Sequence, residues 1–318
     1  MTRSDSASPA PAHARAWPRF AVFGAGAVGG YYGGMLARAG VPVWLIGRPA
    51  FVQAVRAGGL RLQTAAFDER IAVAADDDAA AARDADVVLV CVKSGDTETA
   101  GAALRPHLAP HAVVLSLQNG VDNAARLQRV LGRPVVPVVV YVAAGVEAPG
   151  HVRHHGRGEL VLAPFPEAAA VQAAFAHAGV PTMVSPAVPQ ALWTKLAINC
   201  AYNALSAITA RPYGWLWAQP GVPALLRQVV RECVAVAAAE GIALDEAALQ
   251  AEVERIATSM ATQLSSTARD LLRGRPTEID HLNGYVVARA AAHGLAAPVN
   301  QALHTLVRAL QQARAESA

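Results

Sequence analysis

The chain has 318 residues, 53% of them hydrophobic, and a formal net charge of +3 from 27 basic and 24 acidic side chains. That length suits two domains with ample apolar material for two cores, and so small and dispersed a charge, with no basic cluster interleaved with aromatics, argues against nucleic acid as a partner. No apolar run is long and uniform enough for a membrane span. Cys91, Cys200 and Cys233 stand far apart in apolar segments without a CxxC pair, the pattern of free thiols in a reducing compartment. The expectation is a soluble, cytoplasmic protein with a small-molecule partner; the sequence leaves the oligomeric state open, with a homodimer as the candidate assembly.

In chain order, residues 1–18 are rich in Ala, Pro and Ser, lack the apolar run of a signal peptide, and read as a disordered tail. Short β-type runs follow at 19–23, 43–46, 87–92, 113–117 and 136–142, with helical stretches at 29–39 and 97–108 between them. This alternation predicts a parallel sheet with crossover helices. Residues 152–154 and 160–162, set around Gly156 and Gly158, read as two short antiparallel strands added to the sheet edge. Beyond Pro189 the β signal stops, and 190–312 reads as helical, with breaks such as Arg211-Pro212 and 274–276. The predicted fold class is therefore α/β: an N-terminal Rossmann-type doubly wound sheet over 19–187 and a second, all-α C-terminal domain over 188–318.

Gly24-Ala25-Gly26-Ala27-Val28-Gly29 places a GxGxxG pattern between the first strand and the first helix. In that context the three glycines serve different ends: Gly24 permits the tight turn, Gly26 lets backbone approach a pyrophosphate, and Gly29 allows helix to pack closely on strand. The helix N-terminus then offers N–H groups and a favourable dipole to the phosphates. A turn that merely packs tightly is the plainer alternative. Trp44-Leu45-Ile46-Gly47-Arg48 closes the second strand with an arginine where NAD enzymes usually carry a carboxylate. Arg48 can form paired hydrogen bonds to a 2′-phosphate, so NADP (NADPH) is the expected cofactor; otherwise Arg48 is a solvated surface residue.

Lys195, Asn199 and Asn203 recur at four-residue steps on an otherwise apolar helix, hence on one face. Burying an ammonium and two amides is costly unless they bind each other or a ligand, so this face is a candidate site. In an open parallel sheet, ligands lie beyond the carboxyl ends of the strands. Lys93 ends one strand and Asn119-Gly120 follows another, where both could meet cofactor or substrate. Thr277 and Asp280 have the spacing of a capping box, which does not account for Glu278: in the first turn its carboxylate gains from the helix dipole, and meeting Lys195 across a cleft it would also help set the lysine's orientation and proton affinity. His151, His154 and His155 lack a completing Cys or carboxylate at metal-ligand spacing, so no metal is expected.

Taken together, these segments resemble the ketopantoate reductases (2-dehydropantoate 2-reductases) over essentially all of 20–310. The residues that carry the resemblance are GAGAVGG at 24–30, Lys93, Asn119-Gly120, LWTKLAINCAYNAL from Leu192 and GRPTEIDHLNG from Gly274. The resemblance implies NADPH-dependent reduction of 2-dehydropantoate to (R)-pantoate, toward pantothenate and coenzyme A, in a cleft between two domains. It implies Lys195 as general acid, Glu278 as its partner, and Asn119, Asn199 and Asn203 as amides that orient substrate. It further implies Ser266 as a substrate-carboxylate contact, Lys93 as a contact near cofactor and substrate, and Arg48 at the 2′-phosphate. The chain departs at Ser265-Ser266-Thr267-Ala268-Arg269-Asp270, where many relatives carry an SSMLQD-like segment, and has Gln118 where some have His. A relative acting on another 2-keto acid, and a non-catalytic NADPH-binding regulator, are the competing readings.

Overall fold

The computed structural model describes residues 17–316; most of the expected tail, residues 1–16, lies outside them. The first part of the chain runs β1 (Phe20–Phe23), α1 (Ala27–Arg38), β2 (Val43–Ile46), α2 (Pro49–Gly58), β3 (Leu60–Gln63), β4 (Asp68–Ile71), β5 (Ala74–Asp76) and β6 (Val87–Val90). It continues through α3 (Thr97–Leu104), β7 (Val113–Ser116), α4 (Asn123–Leu131), β8 (Val135–Ala148), β9 (His151–Leu162), α5 (Ala168–His177) and β10 (Thr182–Val184). Among the described residues the strands make one sheet in the order β4-β3-β9-β8-β7-β6-β1-β2-β5, with β10 also on β9. From β5 to β8 every pairing is parallel. Strands buried on both faces read as continuous apolar runs. Val22, Leu45, Leu89 and Leu115 pack with Tyr32 and Leu36 of α1 and Phe175 of α5, while Ala21, Val88, Val90 and Val114 pack with Leu104 and Leu127 of α3 and α4 on the other face.

Two details differ from the sequence expectation. The short strands around Gly156 and Gly158 are one 12-residue strand, β9, antiparallel to the 14-residue β8. Their ladder shifts register between Tyr141 and Val142 and again between Ala143 and Ala144. The glycines, with φ of +146° and +140°, therefore bend a continuous hairpin rather than end a strand. Nor is that hairpin the sheet edge, because β3 pairs with β9 and β4 lies outside it. β4 left little apolar signal: Asp68, Glu69 and Arg70 are all exposed.

The second part comprises α6 (Val188–Thr209), α7 (Tyr213–Trp217), α8 (Val222–Ala239), α9 (Glu246–Ser259), α10 (Ser266–Leu272), α11 (Asn283–Ala292) and α12 (Pro298–Glu316). α6 is its centre, packed against α8, α10 and α12, which is why it is apolar around most of its circumference. Trp193, Leu196, Cys200 and Ala204 sit in a core shared with Leu226, Val230 and Cys233 of α8. A smaller cluster, Val139 of β8 with Val188 and Leu192 of α6, pins the start of α6 to the sheet. No helix among the described residues is long and apolar enough to cross a membrane.

The expected capping box at Thr277 and Asp280 does not form. Residues Ile279–His281 make one 3-10 turn, toward which the Thr277 hydroxyl accepts from Ile279 N–H only at 3.5 Å. Asp280 turns instead to His304 at 2.6 Å and Arg308 at 3.6 Å on α12. Tertiary ion pairing has replaced the local cap.

Candidate active site

At the glycine turn, the N–H groups of Gly24 and Ala25 both donate to the Ile46 carbonyl at 2.9 Å, tying the turn to β2. Gly24 has φ +95°, and a Cβ there would lie 2.6 Å from Val92 N. At Gly29 a Cβ would lie 2.6 Å from the Gly24 oxygen and 2.9 Å from Val22 Cγ1, so the helix can approach the strand only with glycine. Gly26 is different. A Cβ there would meet nothing nearer than the Gly24 oxygen at 3.9 Å, so packing within the chain does not require glycine and open space lies beside it. Gly26 precedes α1, and no side chain caps the helix, leaving the first-turn N–H groups of Ala27, Val28 and Gly29 without a side-chain acceptor. Arg48, just past the end of β2, is exposed, and its guanidinium makes no hydrogen bond or ion pair with another described residue.

The seam between the sheet and the helices brings Lys195, Asn119 and Glu278 together. Because α6 starts against β8, Lys195 lies beside that strand. Its ammonium donates to the Val140 carbonyl and, at 3.0 Å, to Asn119 Oδ1. The Asn119 amide donates in turn to Glu278 Oε2 at 3.2 Å. Glu278 Oε1 accepts from both the backbone N–H of Ser94, at 2.9 Å, and its hydroxyl, at 2.8 Å. Glu278 thus reaches Lys195 through Asn119 and not by a direct ion pair. Burial pushes the Lys195 ammonium down to about 8, with Arg157 acting in the same direction and Glu278 against it.

Behind this chain lies a polar layer with little sequence signal. Asn123 Nδ2 donates to the Ser94 hydroxyl and, at 2.5 Å, to the Asn119 carbonyl; Thr97 Oγ1 donates to Asn123 Oδ1, and Gln118 Nε2 donates to Thr97 Oγ1. Arg126 donates to the Ser94 carbonyl at 2.9 Å and to His281 Nδ1 at 3.2 Å, holding the turn that follows Glu278. Since a guanidinium only donates, that ring nitrogen must be an acceptor. Ser94, Thr97, Asn123 and Arg126 read as ordinary turn, cap and surface residues in sequence. Only their convergence fixes the Asn119 loop.

The remaining predicted residues lie on α6, on α10 and just after β6. The Asn199 and Asn203 amides form no hydrogen bond with another described residue, although Asn203 is only 3% exposed. A nearly buried amide without a partner is costly in the empty protein and suits a polar ligand. Ser265 is the N-cap of α10, accepting from Ala268 N–H at 3.0 Å and donating to the Asn203 carbonyl at 3.2 Å, which leaves Ser266 as the exposed hydroxyl. Lys93 does not project freely: it donates to Asp270 at 2.8 Å and to the Pro276 carbonyl at 2.7 Å, bridging sheet and helices. His151, His154 and His155 face separate partners, namely Gln63, the Arg157 carbonyl with the Tyr31 ring, and Glu147.

Fold and site define a two-part α/β protein of Rossmann type, with an all-α region closing a lysine-centred cleft at the carboxyl ends of the strands. The profile described as Ketopantoate reductase PanE/ApbA matches residues 20–167, and that described as Ketopantoate reductase PanE/ApbA C terminal matches 187–311. The chain is 37% identical over 305 residues to a 2-dehydropantoate 2-reductase of Halobacterium salinarum, covering 92% of this chain and 99% of the relative. Among solved structures, it is similar to a PanE/ApbA family ketopantoate reductase from Ralstonia eutropha JMP134, at 54% identity and a TM-score of 0.90 over 93% of this chain and 99% of that one. A 2-dehydropantoate 2-reductase from Geobacter metallireducens GS-15 is similar at 27% identity and a TM-score of 0.85, covering 91% and 99%. The chain belongs to the ketopantoate reductase family.

Proposed function

We propose that the protein reduces 2-dehydropantoate to (R)-pantoate with NADPH, on the route to pantothenate and coenzyme A. In this reading, residues 19–187 hold the cofactor, and residues 188–318 supply the proton donor and much of the substrate site. The observation that carries it is the Lys195–Asn119–Glu278 chain across the seam.

The residues present fit a dinucleotide. Gly24, Ala25, Gly26, Ala27, Val28 and Gly29 would cradle the pyrophosphate at the uncapped start of α1, beside the space at Gly26. Arg48 would hold the 2′-phosphate, and Lys93 and Asn119 stand at the strand ends nearer the reacting atoms. Bound there, NADPH supplies the hydride. The chain itself places the ketone and delivers a proton. An ammonium has three N–H groups; two of those on Lys195 are held by Asn119 and Val140, leaving one for the substrate oxygen. Lys195 donates that proton as the alkoxide develops, and its charge stabilises the oxyanion. Glu278 acts through Asn119, orienting the amide so that its oxygen faces the ammonium. Asn199, Asn203 and Ser266 offer the unpaired polar atoms that would orient the rest of the substrate.

NADPH oxidation measured with a panel of 2-keto acids that includes 2-dehydropantoate tests the proposal. Preference for 2-dehydropantoate with NADPH is the expected result. A better 2-keto acid would replace the substrate, tighter use of NADH would remove Arg48 from its role, and inactivity on all would favour a non-catalytic binding protein.

A further inference from the structure

Along the seam between α10 and the sheet, several cations are paired, while the exposed Arg153 and Arg275 stand in solvent. Lys93 meets Asp270 at 2.8 Å. Arg273 reaches Glu147 at 3.8 Å and the Val146 carbonyl at 3.3 Å. Arg157 lies 3.3 Å from Glu159 and stacks over the Tyr141 ring, 4.4 Å from its centroid. Arg269, although partly buried, has no side-chain hydrogen bond or ion pair with another described residue.

Where Arg269 points follows from its helix. Thr267, Ala268 and Leu271 are buried, so Ser266, Arg269, Asp270 and Arg273, at steps of three and four, share the opposite face. Asp270 and Arg273 both contact the sheet side of the seam, through Lys93 and through Val146 and Glu147. Arg269 lies at the margin of that face beside Arg273, one turn beyond Ser266, which itself adjoins Asn203 through Ser265. Its charge is felt on both walls. After burial it is the next cause pushing the His155 imidazole down, and it opposes the rise of the Tyr213 hydroxyl, which burial takes up to about 12. Burial and Arg269 both disfavour the imidazolium form of His155.

A half-buried guanidinium without a counter-ion is a poor arrangement for stability and a good one for a planar anion, which its fork can bind with two parallel hydrogen bonds. A 2-keto acid brings one such anion. Of the other cations, Lys195 keeps its remaining N–H for the ketone, Lys93 is neutralised by Asp270, Arg153 and Arg275 are exposed to solvent, and Arg48 lies at the end of β2. We propose that Arg269 holds the substrate's carboxylate, with the Ser266 hydroxyl as its companion. The inference rests on reading the cleft as a 2-keto acid site. It makes Arg269 a specificity residue, selecting acids over neutral ketones of the same shape; the amide of an SSMLQD-like segment could hydrogen-bond there without supplying charge.

Two measurements test it. In steady-state kinetics, Arg269→Gln should raise KM for 2-dehydropantoate about 10- to 100-fold with kcat within about threefold, the signature of lost uniform binding. The kcat/KM preference for the acid over its methyl ester should fall by a similar factor, and Arg269→Lys should restore part of it. An unchanged acid-to-ester preference overturns the proposal, since a merely structural role would depress both substrates alike. Calorimetric titration of the NADP-loaded protein with pantoate and with its neutral amide gives a readout that does not need turnover. Loss of pantoate binding in Arg269→Gln, with the amide unaffected, supports the assignment even if no 2-keto acid is reduced and the reductase reading falls. Equal pantoate affinity in both proteins, or none in the wild type, overturns it.

Discussion

Lys195 combines a charge with a cost. Its ordinary value near 10.5 falls to about 8 chiefly through burial, so the ammonium is mostly present at neutral pH and loses its proton above pH 8. kcat/KM should therefore decline about tenfold per unit above about pH 8, as a pH–rate profile would show. The stability sign is the reverse. Between about 8 and 10.5 the unfolded chain binds this proton and the native chain does not, so the penalty at position 195 is full below pH 8 and relieved as pH rises through that window. Lys195→Met should lower kcat by at least about 100-fold while leaving the melting temperature at pH 7 unchanged or higher, measurable by calorimetry. At the far end of the cleft, Arg48→Gln should raise KM for NADPH by about 10- to 100-fold and leave that for NADH nearly unaltered, because the lost charge-assisted bonds belong to the 2′-phosphate alone.

At the level of elements, the β1–α1 turn separates two uses of glycine. Gly29→Ala would force a Cβ to 2.6 Å from backbone and should cost about 1–3 kcal/mol of stability. Gly26→Ala meets no such contact and should cost less stability while weakening dinucleotide binding more; thermal melts and fluorescence titration of NADPH compare the two variants. The turn was legible in sequence because its requirements are local: a strand, a tight turn and a helix within a short stretch of chain. The β8–β9 hairpin was not. Gly156 and Gly158 carry the same one-dimensional signal whether they end a strand or bend it, and only pairing with β8 decides. The Thr277–Asp280 spacing misled for a related reason, since Asp280 finds His304 and Arg308 on a helix remote in sequence.

Across the whole molecule, the seam depends on a few polar contacts from the helical region to the strand ends. Glu278→Ala would leave the Ser94 and Asn119 donors without their acceptor and should lower both turnover and stability, the latter by about 1–3 kcal/mol. Limited proteolysis should then show faster cleavage at the seam. By itself the sequence determined the α/β class, the glycine turn between β1 and α1 and the shared helix of Lys195, Asn199 and Asn203, because strand and helix periodicity and turn chemistry act over a few neighbours. Tertiary structure alone decided that Asn119 stands between Lys195 and Glu278, that Lys93 is paired with Asp270, and that Arg269 has no side-chain partner among the described residues. Those are relations between side chains 76 to 177 residues apart in the chain, and whether a buried charge has a partner is set by what the fold brings within hydrogen-bonding reach of it.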